Sequence, residues 1–503
     1  MGQIRRQTIL SSISTYFGFL IGALNTYFFV FNGPVSFTAD EYGLTRIFTD
    51  VGAMIYAFSS LGVSSVLYKF YPYYKDNLAR KDNDLLTWAL VLSLLGFVIV
   101  TLSGWVFEPL IVRKFSERSA LFVVYYKWVF PFGLGFLLFS VLESFAWTVK
   151  QSVWSTFLRE GGVRIFILLL IVPYLLGWIS FDAFIKLFTF QYLLAAIALW
   201  IFLSRRQLTS ISFRFSRVTL RFRKKILTML SLTYGGIIIT IVAQAFDGVL
   251  IAGFMGLKYA GIYAFLLYIA NIIQVPQRSV QAVSIPHLAQ AWKDKDLARI
   301  DRIYHRTSIN LLILCSTLFC LIELCAPIAG GLVGIRTEYQ QGLGLSALLL
   351  LGVARIVDAG TGVNGYIIGT SVYWRFDFFT GVILLALRIP LNVYLIKSYG
   401  IDGSAAADLI SLIAYNAIRM IFLARKFNMQ PFNFKTLLAL VYAAASYAVA
   451  YWSCATLHGW AALFAKAVVF TTLYGAAVLL SALTPDTKQV WDGMRKKFGM
   501  HVD

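Results

Sequence analysis

Charge is scarce along this chain. Only 14% of its 503 residues are Asp, Glu, Lys or Arg, against roughly 25% in soluble globular proteins. An ordinary water-soluble enzyme is thereby excluded, as is a separate soluble domain, because no long polar block interrupts the apolar runs. Acidic residues are scarcest, 24 against 44 Lys and Arg. Cysteine and histidine number four each. Cys315, Cys320 and Cys325 fall in or at the edge of one apolar run and Cys454 in another, where they read as small packing residues. His287, His305, His458 and His501 show no metal-ligand spacing, so neither a metal centre nor a cofactor is expected.

What fills the sequence is hydrophobic side chains, 59% of the total, in stretches of about 20 residues, the length that crosses a bilayer as a helix. Hydropathy places seven spans near Leu10–Phe31, Ile47–Phe70, Leu85–Phe107, Leu121–Trp147, Val163–Trp178, Phe184–Leu203 and Thr228–Met255. Seven more follow near Gly261–Ile285, Thr307–Ile328, Leu343–Thr370, Phe378–Ile396, Gly403–Ala424, Thr436–Ala455 and Ala461–Leu483. The expected architecture is an all-α polytopic membrane protein of about 14 spans. The opening Met-Gly-Gln-Ile-Arg-Arg lacks the Ser or Thr that myristoylation needs and leads into a retained first helix.

A net charge of +20 would point to nucleic acid in a soluble protein. Here the basic residues sit in short loops, and with both termini inside, the cytoplasmic side carries roughly thirty Lys and Arg against about nine outside. They set topology and meet anionic headgroups; nucleic acid is not a partner. The richest loop, Ser204 to Lys225, holds Arg205, Arg206, Arg214, Arg217, Arg221, Arg223, Lys224 and Lys225. It reads as an amphipathic, membrane-surface linker between halves.

Those halves look related. Asp40-Glu41-Tyr42-Gly43-Leu44 after the first span and Lys258-Tyr259-Ala260-Gly261-Ile262 after the seventh are both short outer turns running through glycine into the next helix. A repeat of six spans gives two lobes of like orientation. The expected division is an N-terminal lobe at 1–203, a basic linker at 204–227, a C-terminal lobe at 228–424, and two further spans with a cytoplasmic tail at 425–503.

These motifs carry a family resemblance. The stretch Asp247-Gly248-Val249-Leu250-Ile251-Ala252-Gly253-Phe254-Met255-Gly256-Leu257, continuing through Ala260-Gly261-Ile262-Tyr263 to Pro286, resembles the seventh-and-eighth-helix region of bacterial polysaccharide flippases of the Wzx type. The turns Glu41-Tyr42-Gly43 and Tyr399-Gly400-Ile401-Asp402-Gly403 are similar to the family's corresponding turns, in the same order. The resemblance implies the multidrug/oligosaccharidyl-lipid/polysaccharide exporter superfamily, whose two-lobed fold is shared by MATE antiporters and by lipid II flippases of the MurJ type. It also implies a cargo, undecaprenyl-diphosphate-linked oligosaccharide, carried by alternating access across the bacterial inner membrane. Proton or sodium coupling and assembly with a polysaccharide polymerase come with it as possibilities.

A diphosphate crossing hydrocarbon needs cationic groups at membrane depth, and ionisable residues there are functional candidates by default. Arg46, Lys127, Arg278 and Arg388 are the cavity candidates. Lys127, beside Tyr125 and Tyr126, could equally snorkel to the surface; Arg46 could be an interfacial anchor. Arg278 follows Pro276-Gln277, where a helix break could expose backbone, and Arg388 precedes Pro390, whose ring frees a carbonyl for an arginine to satisfy. Asp247, Arg355 and Asp358 are candidates for ion coupling or lobe contacts. Arg355 and Asp358, three apart, are expected to pair within their helix. Glu143, Glu323 and Asp408 are further acids at depth without an evident partner. Gly18 and Gly22 form a small-residue pair for close helix packing.

A polytopic glycosyltransferase or polymerase is disfavoured, since the outer loops are short and no nucleophile-base constellation or phosphate-binding glycine loop is present. A cation-coupled drug antiporter or a lipid II flippase keeps the fold and changes the cargo. The first span offers neither the carboxylates of an antiporter nor, between Ser11 and Phe31, an arginine.

Overall fold

Backbone inside hydrocarbon must satisfy its own N–H and C=O groups, and the apolar runs accordingly become helices. The computed structural model describes residues 17–343 and 346–484, and among them no β-strand occurs. Eight helices there are long and apolar enough to cross a bilayer: Arg80–Val106, Ala120–Thr148, Phe181–Arg205, Arg217–Phe254, Leu297–Leu332, Arg375–Phe427, Phe434–Ser453 and Gly459–Leu480. Two bent pairs add a span each, Ala39–Ser59 with Val63–Asn77 at 51° and Leu257–Ile272 with Val275–Lys293 at 55°. The chain is a multi-pass membrane protein.

Each of the fourteen expected spans falls on helix, but as a count of separate long helices fourteen is approximate. The first is represented by Phe17–Val30, its expected start at Leu10 lying outside the described residues. The fifth is interrupted by a π-helical turn, Leu158–Gly162, before Val163–Leu175. The tenth is Ser346–Gly360 followed by the short Asn364–Gly369. The eleventh and twelfth share one helical run, Trp374–Phe427, broken at Gly400 with φ of 61° and ψ of −136°, a conformation open to glycine and strained for other residues. There the chain folds back, bringing Gly403 hard against the Leu395 carbonyl. The expected tail beyond 484 lies outside the described residues.

Helix starts follow local chemistry. Thr38 and Glu41 form a reciprocal capping box, the Thr38 N–H donating to Glu41 Oε2 at 2.7 Å and the Glu41 N–H to Thr38 Oγ1 at 3.2 Å, which accounts for the acid in that turn. Ser216 caps Arg217–Phe254, so helix begins eleven residues before the expected Thr228 and takes in half of the expected linker. Leu95, Ile99, Leu102 and Val106, three or four apart on one helix, are exposed and make a lipid-facing stripe.

The chain divides into two compact units, one ending at Gly261 and the other starting at Ile262. In the first, Phe139, Val141, Leu142 and Phe145 of Ala120–Thr148 pack with Val63, Leu67, Phe70, Leu199 and Leu203. Phe17–Val30 lies close on the π-helical turn: a Cβ on Gly18 would collide with the Glu160 carbonyl, and one on Gly22 would meet Arg164 Nε at 3.2 Å. In the second unit, Ala439, Ala443 and Ala450 let Phe434–Ser453 approach Leu297–Leu332 and Gly459–Leu480 around Phe470 and Tyr474, and the Tyr474 hydroxyl reaches Ser316 Oγ at 3.0 Å.

Candidate functional site: charges buried among the membrane helices

The second unit holds the densest buried charge. Arg355 comes from Ser346–Gly360, Arg388 from the arm of Trp374–Phe427 before Gly400, and Asp408 from the arm after it. Both guanidiniums converge on one carboxylate: Arg355 Nη2 lies 2.9 Å from Asp408 Oδ2, and Arg388 Nη2 lies 2.9 Å from Oδ1. The Asp408 side chain is fully buried and each arginine side chain is 12% exposed. In low dielectric an unpaired charge is costly, and here one acid holds two arginines whose forks carry more N–H donors than one carboxylate has lone pairs. Such a cluster is chemically suited to an anion with several oxygens.

The expected pairing of Arg355 with Asp358 does not occur. Arg355 turns to Asp408 instead, and Asp358 is held by neutral amides. Gln274 Nε2 and Gln277 Nε2 each donate to Asp358 Oδ2 at 3.0 Å, and Asn416 Nδ2 donates to Oδ1 at 3.2 Å. Asn416 in turn accepts from Thr361 Oγ1 and Asn364 Nδ2, both at 2.9 Å. Three charge-assisted bonds satisfy the acid without a cation. Arg388 has Asp408 as an ion partner. Arg278 is exposed on Val275–Lys293, after the break at Ile273–Gln274. Nearer the helix end, Arg419 pairs with Asp377, donates from Nε to Thr380 Oγ1 at 3.3 Å and lies over the Tyr415 ring.

Beside Thr361 and Asn416 opens an apolar cavity of about 550 Å³, lined by Ile356, Ile413, Met420 and Leu437 among others. Its walls come from Leu297–Leu332, Ser346–Gly360, the arm of the broken run after Gly400, and Phe434–Ser453.

In the first unit, Arg46 and Asp50 lie one turn apart on Ala39–Ser59, and the buried Asp247 acts electrostatically on Asp50. Asp50 Oδ2 lies directly over Gly248, where a Cβ would leave no room. A second pair, Glu143 with Arg159, is made at 3.1 Å through the π-helical turn, and Glu160 pairs with Arg164 at 3.0 Å. Lys127 is not in the interior: its side chain is 75% exposed, on the 3₁₀ turn Tyr126–Trp128, and the nearest carboxylate is Glu108 at 3.9 Å.

Of the residues expected from sequence to act, the structure thus joins Arg355 and Arg388 through Asp408, sets Arg46 and Asp247 within electrostatic reach of Asp50, and leaves Lys127 and Arg278 at exposed positions. Asp50, Arg159 and the amides of Gln274, Gln277 and Asn416 were not anticipated. Asp50 follows Arg46 by four and Arg164 follows Glu160 by four, spacings visible in the sequence; nothing local marks the amides, which are brought to Asp358 by tertiary packing.

No family model matches the chain, and no curated protein matches it in sequence. Solved structures do. The structure of a lipid II flippase, MurJ, in an inward closed conformation aligns over 95% of this chain and 100% of its own at 15% identity, with a TM-score of 0.73. An inward-facing multidrug resistance MATE family transporter of the MOP superfamily aligns over 82% of this chain and 94% of its own, also at 15% identity, with a TM-score of 0.64. A Vibrio cholerae MATE transporter aligns over 85% and 98% at 15% identity, with a TM-score of 0.53. The chain has the fold these transporters share.

Proposed function

We propose that the chain is a flippase that moves an undecaprenyl-diphosphate-linked oligosaccharide, an O-antigen, capsule or exopolysaccharide unit, across the bacterial inner membrane by alternating access. The observation that carries this reading is the cluster of Arg355, Arg388 and Asp408, two guanidiniums converging on one buried carboxylate. A diphosphate offers the acceptor oxygens that two guanidiniums can grip. The apolar cavity beside Thr361 and Asn416 supports the same cargo class, since a prenyl chain needs apolar walls and a free sugar does not. Arg278, exposed and basic, is the residue we assign to first contact with the headgroup, and Arg46 to a second contact.

The reading makes the protein a transporter rather than an enzyme, with both termini in the cytoplasm and membrane lipids as its surroundings. Asp50 and Asp247 with Arg46 are the groups we assign to proton or sodium coupling, and a polysaccharide polymerase is the partner such a flippase would feed. A division into lobes at 1–203 and 228–424 belongs to the same proposal.

Lipid II as cargo is the second reading, favoured by the alignment with a lipid II flippase over 95% of the chain. Leaflet exposure of both intermediates in depleted cells separates the two. Accumulation of the surface-polysaccharide intermediate alone on the cytoplasmic face supports the first; accumulation of lipid II supports the second; accumulation of neither removes both.

A further inference from the structure

The first unit contains an apolar cavity of about 270 Å³ that takes no part in the function proposed above. Three helices enclose it, with Val66 from Val63–Asn77, Ala89 and Leu92 from Arg80–Val106, and Ile226 and Leu230 from the start of Arg217–Phe254. The two hydroxyl groups in its wall are already engaged. Thr219 Oγ1 donates to Asp84 Oδ2 at 2.7 Å and so accepts from the Tyr74 hydroxyl, also at 2.7 Å. A hollow walled in this way offers water few bonds and stays dry, and left empty it forfeits the contacts of its lining. In a membrane the molecule at hand to fill it is a lipid chain.

The segment closing one side reverses the pattern that water selects. Ser210 Oγ donates to the Asn83 carbonyl at 2.7 Å, the Ser212 N–H to Thr87 Oγ1 at 3.0 Å, and the Ser216 N–H to Asp84 Oδ2 at 3.0 Å, so the serine positions are bonded inward to Arg80–Val106. Between them Ile211, Phe213 and Phe215 are 63%, 68% and 57% exposed. An apolar row turned outward beside polar groups bonded inward belongs against hydrocarbon. Phe215 serves both purposes, since it stacks on Trp88 at 4.3 Å and the two rings line the cavity. The same helix runs on from Leu92 into the lipid-facing stripe that starts at Leu95, and Leu220 and Leu227, seven apart on Arg217–Phe254, are exposed as well. The cavity thus lies at the end of a surface that already meets lipid. Arg223 also lines it, and a guanidinium beside a chain site is placed for a phosphate.

We propose that this cavity holds one acyl chain of a bound phospholipid, whose phosphate lies at Arg223, with Ile211, Phe213 and Phe215 immersed beside it. A prenyl phosphate carries an apolar chain and a phosphate as well, and the test separates the two. The site depends neither on the cargo nor on the orientation of the chain.

The purified full chain in neutral detergent is titrated with dioleoyl phosphatidylglycerol, with undecaprenyl phosphate and with glycerophosphoglycerol, which has the headgroup without the chains. Binding is read by native mass spectrometry and by the shift in Tm. Phosphatidylglycerol is expected to bind and to raise Tm, and glycerophosphoglycerol to do neither. Ala89→Leu, which builds side chain into the cavity, should lower phosphatidylglycerol affinity about tenfold, the equivalent of roughly two methylenes excluded from burial, without lowering the Tm of the lipid-free protein. Arg223→Gln should lower the affinity about fivefold, and Arg223→Lys should keep it. Leu95→Ala, on the lipid-facing stripe outside the cavity, should also keep wild-type affinity. Unchanged affinity in Ala89→Leu, or an equal loss in Leu95→Ala, overturns the proposal. Unfolding of lipid-free Ala89→Leu overturns it too, because there would then be no free space to fill. Undecaprenyl phosphate bound more tightly than phosphatidylglycerol, and lost in Ala89→Leu, overturns a phospholipid as the occupant.

Discussion

Arg388 and Asp408 face each other across the reversal at Gly400, Nη2 to Oδ1 at 2.9 Å. The two arms of one helical run are thus tied by an ion pair twenty residues apart in sequence, with Arg355 completing the group from a third segment. Removing the acid takes the shared carboxylate from both arginines. Asp408→Asn is expected to destabilise the protein by about 3–5 kcal/mol, read as thermal or denaturant unfolding in micelles. In a double-mutant cycle, Arg388→Leu with Asp408→Leu should cost less than the sum of the singles; additive costs would mean that the pair contributes no coupling.

The basic connection is fastened to the first unit by Asp84, which is fully buried. Asp84 Oδ2 accepts from the Ser216 N–H at 3.0 Å and from Thr219 Oγ1 at 2.7 Å, and Phe215 stacks on Trp88 at 4.3 Å. Asp84→Ala should cost about 1–3 kcal/mol through the donors it leaves unmet. Trypsin should then cut faster after Arg214 and Arg217. An unchanged cleavage rate would show that the segment is held by something else.

Arg278 and Lys127 are both exposed, yet only one is assigned to cargo. Arg278→Gln should leave stability within about 0.5 kcal/mol while lowering leaflet exposure of the lipid-linked oligosaccharide at least about tenfold. Lys127→Gln should alter neither by a measurable amount. Equal effects on transport from the two would remove the distinction drawn between them.

Gly43 leaves no room for a methyl group, because a Cβ there would collide with the Leu257 carbonyl and lie 3.2 Å from the Gly261 nitrogen. Gly261 is placed reciprocally, since a Cβ added there would lie 2.6 Å from the Ala39 carbonyl oxygen. Gly43→Ala is expected to cost about 1–3 kcal/mol, and Gly43→Val more, in unfolding experiments. A neutral Gly43→Ala would mean that the helices can slide apart to accept it.

Both glycines stand in the turns whose likeness the sequence already displays, so their place in the fold was legible even though their contact was not. Among the described residues hydropathy placed its spans on helix, because the bilayer imposes one length and one polarity on all of them. It could not foresee that Gly400 sits inside one helical run, or that the seventh helix begins at Ser216, since both depend on how backbone ends are satisfied outside the hydrocarbon. The charged residues were visible as singular events in apolar helices, but their partners were not. Arg355 has Asp358 one turn away and chooses Asp408, because a neighbouring arm brings a buried carboxylate closer to its fork than its own helix does. Asp358 then settles on amides that carry no charge and leave no mark in a scan for ion pairs.

Asp84 also bears on how the protein is made. Its two bonding partners lie 132 and 135 positions later in the chain. A ribosome delivering this polypeptide to the membrane therefore releases the second and third spans well before Ser216 and Thr219 exist. Until they arrive, the carboxylate lacks both of these donors, so this tie across the first unit is made only once the start of Arg217–Phe254 has been synthesised.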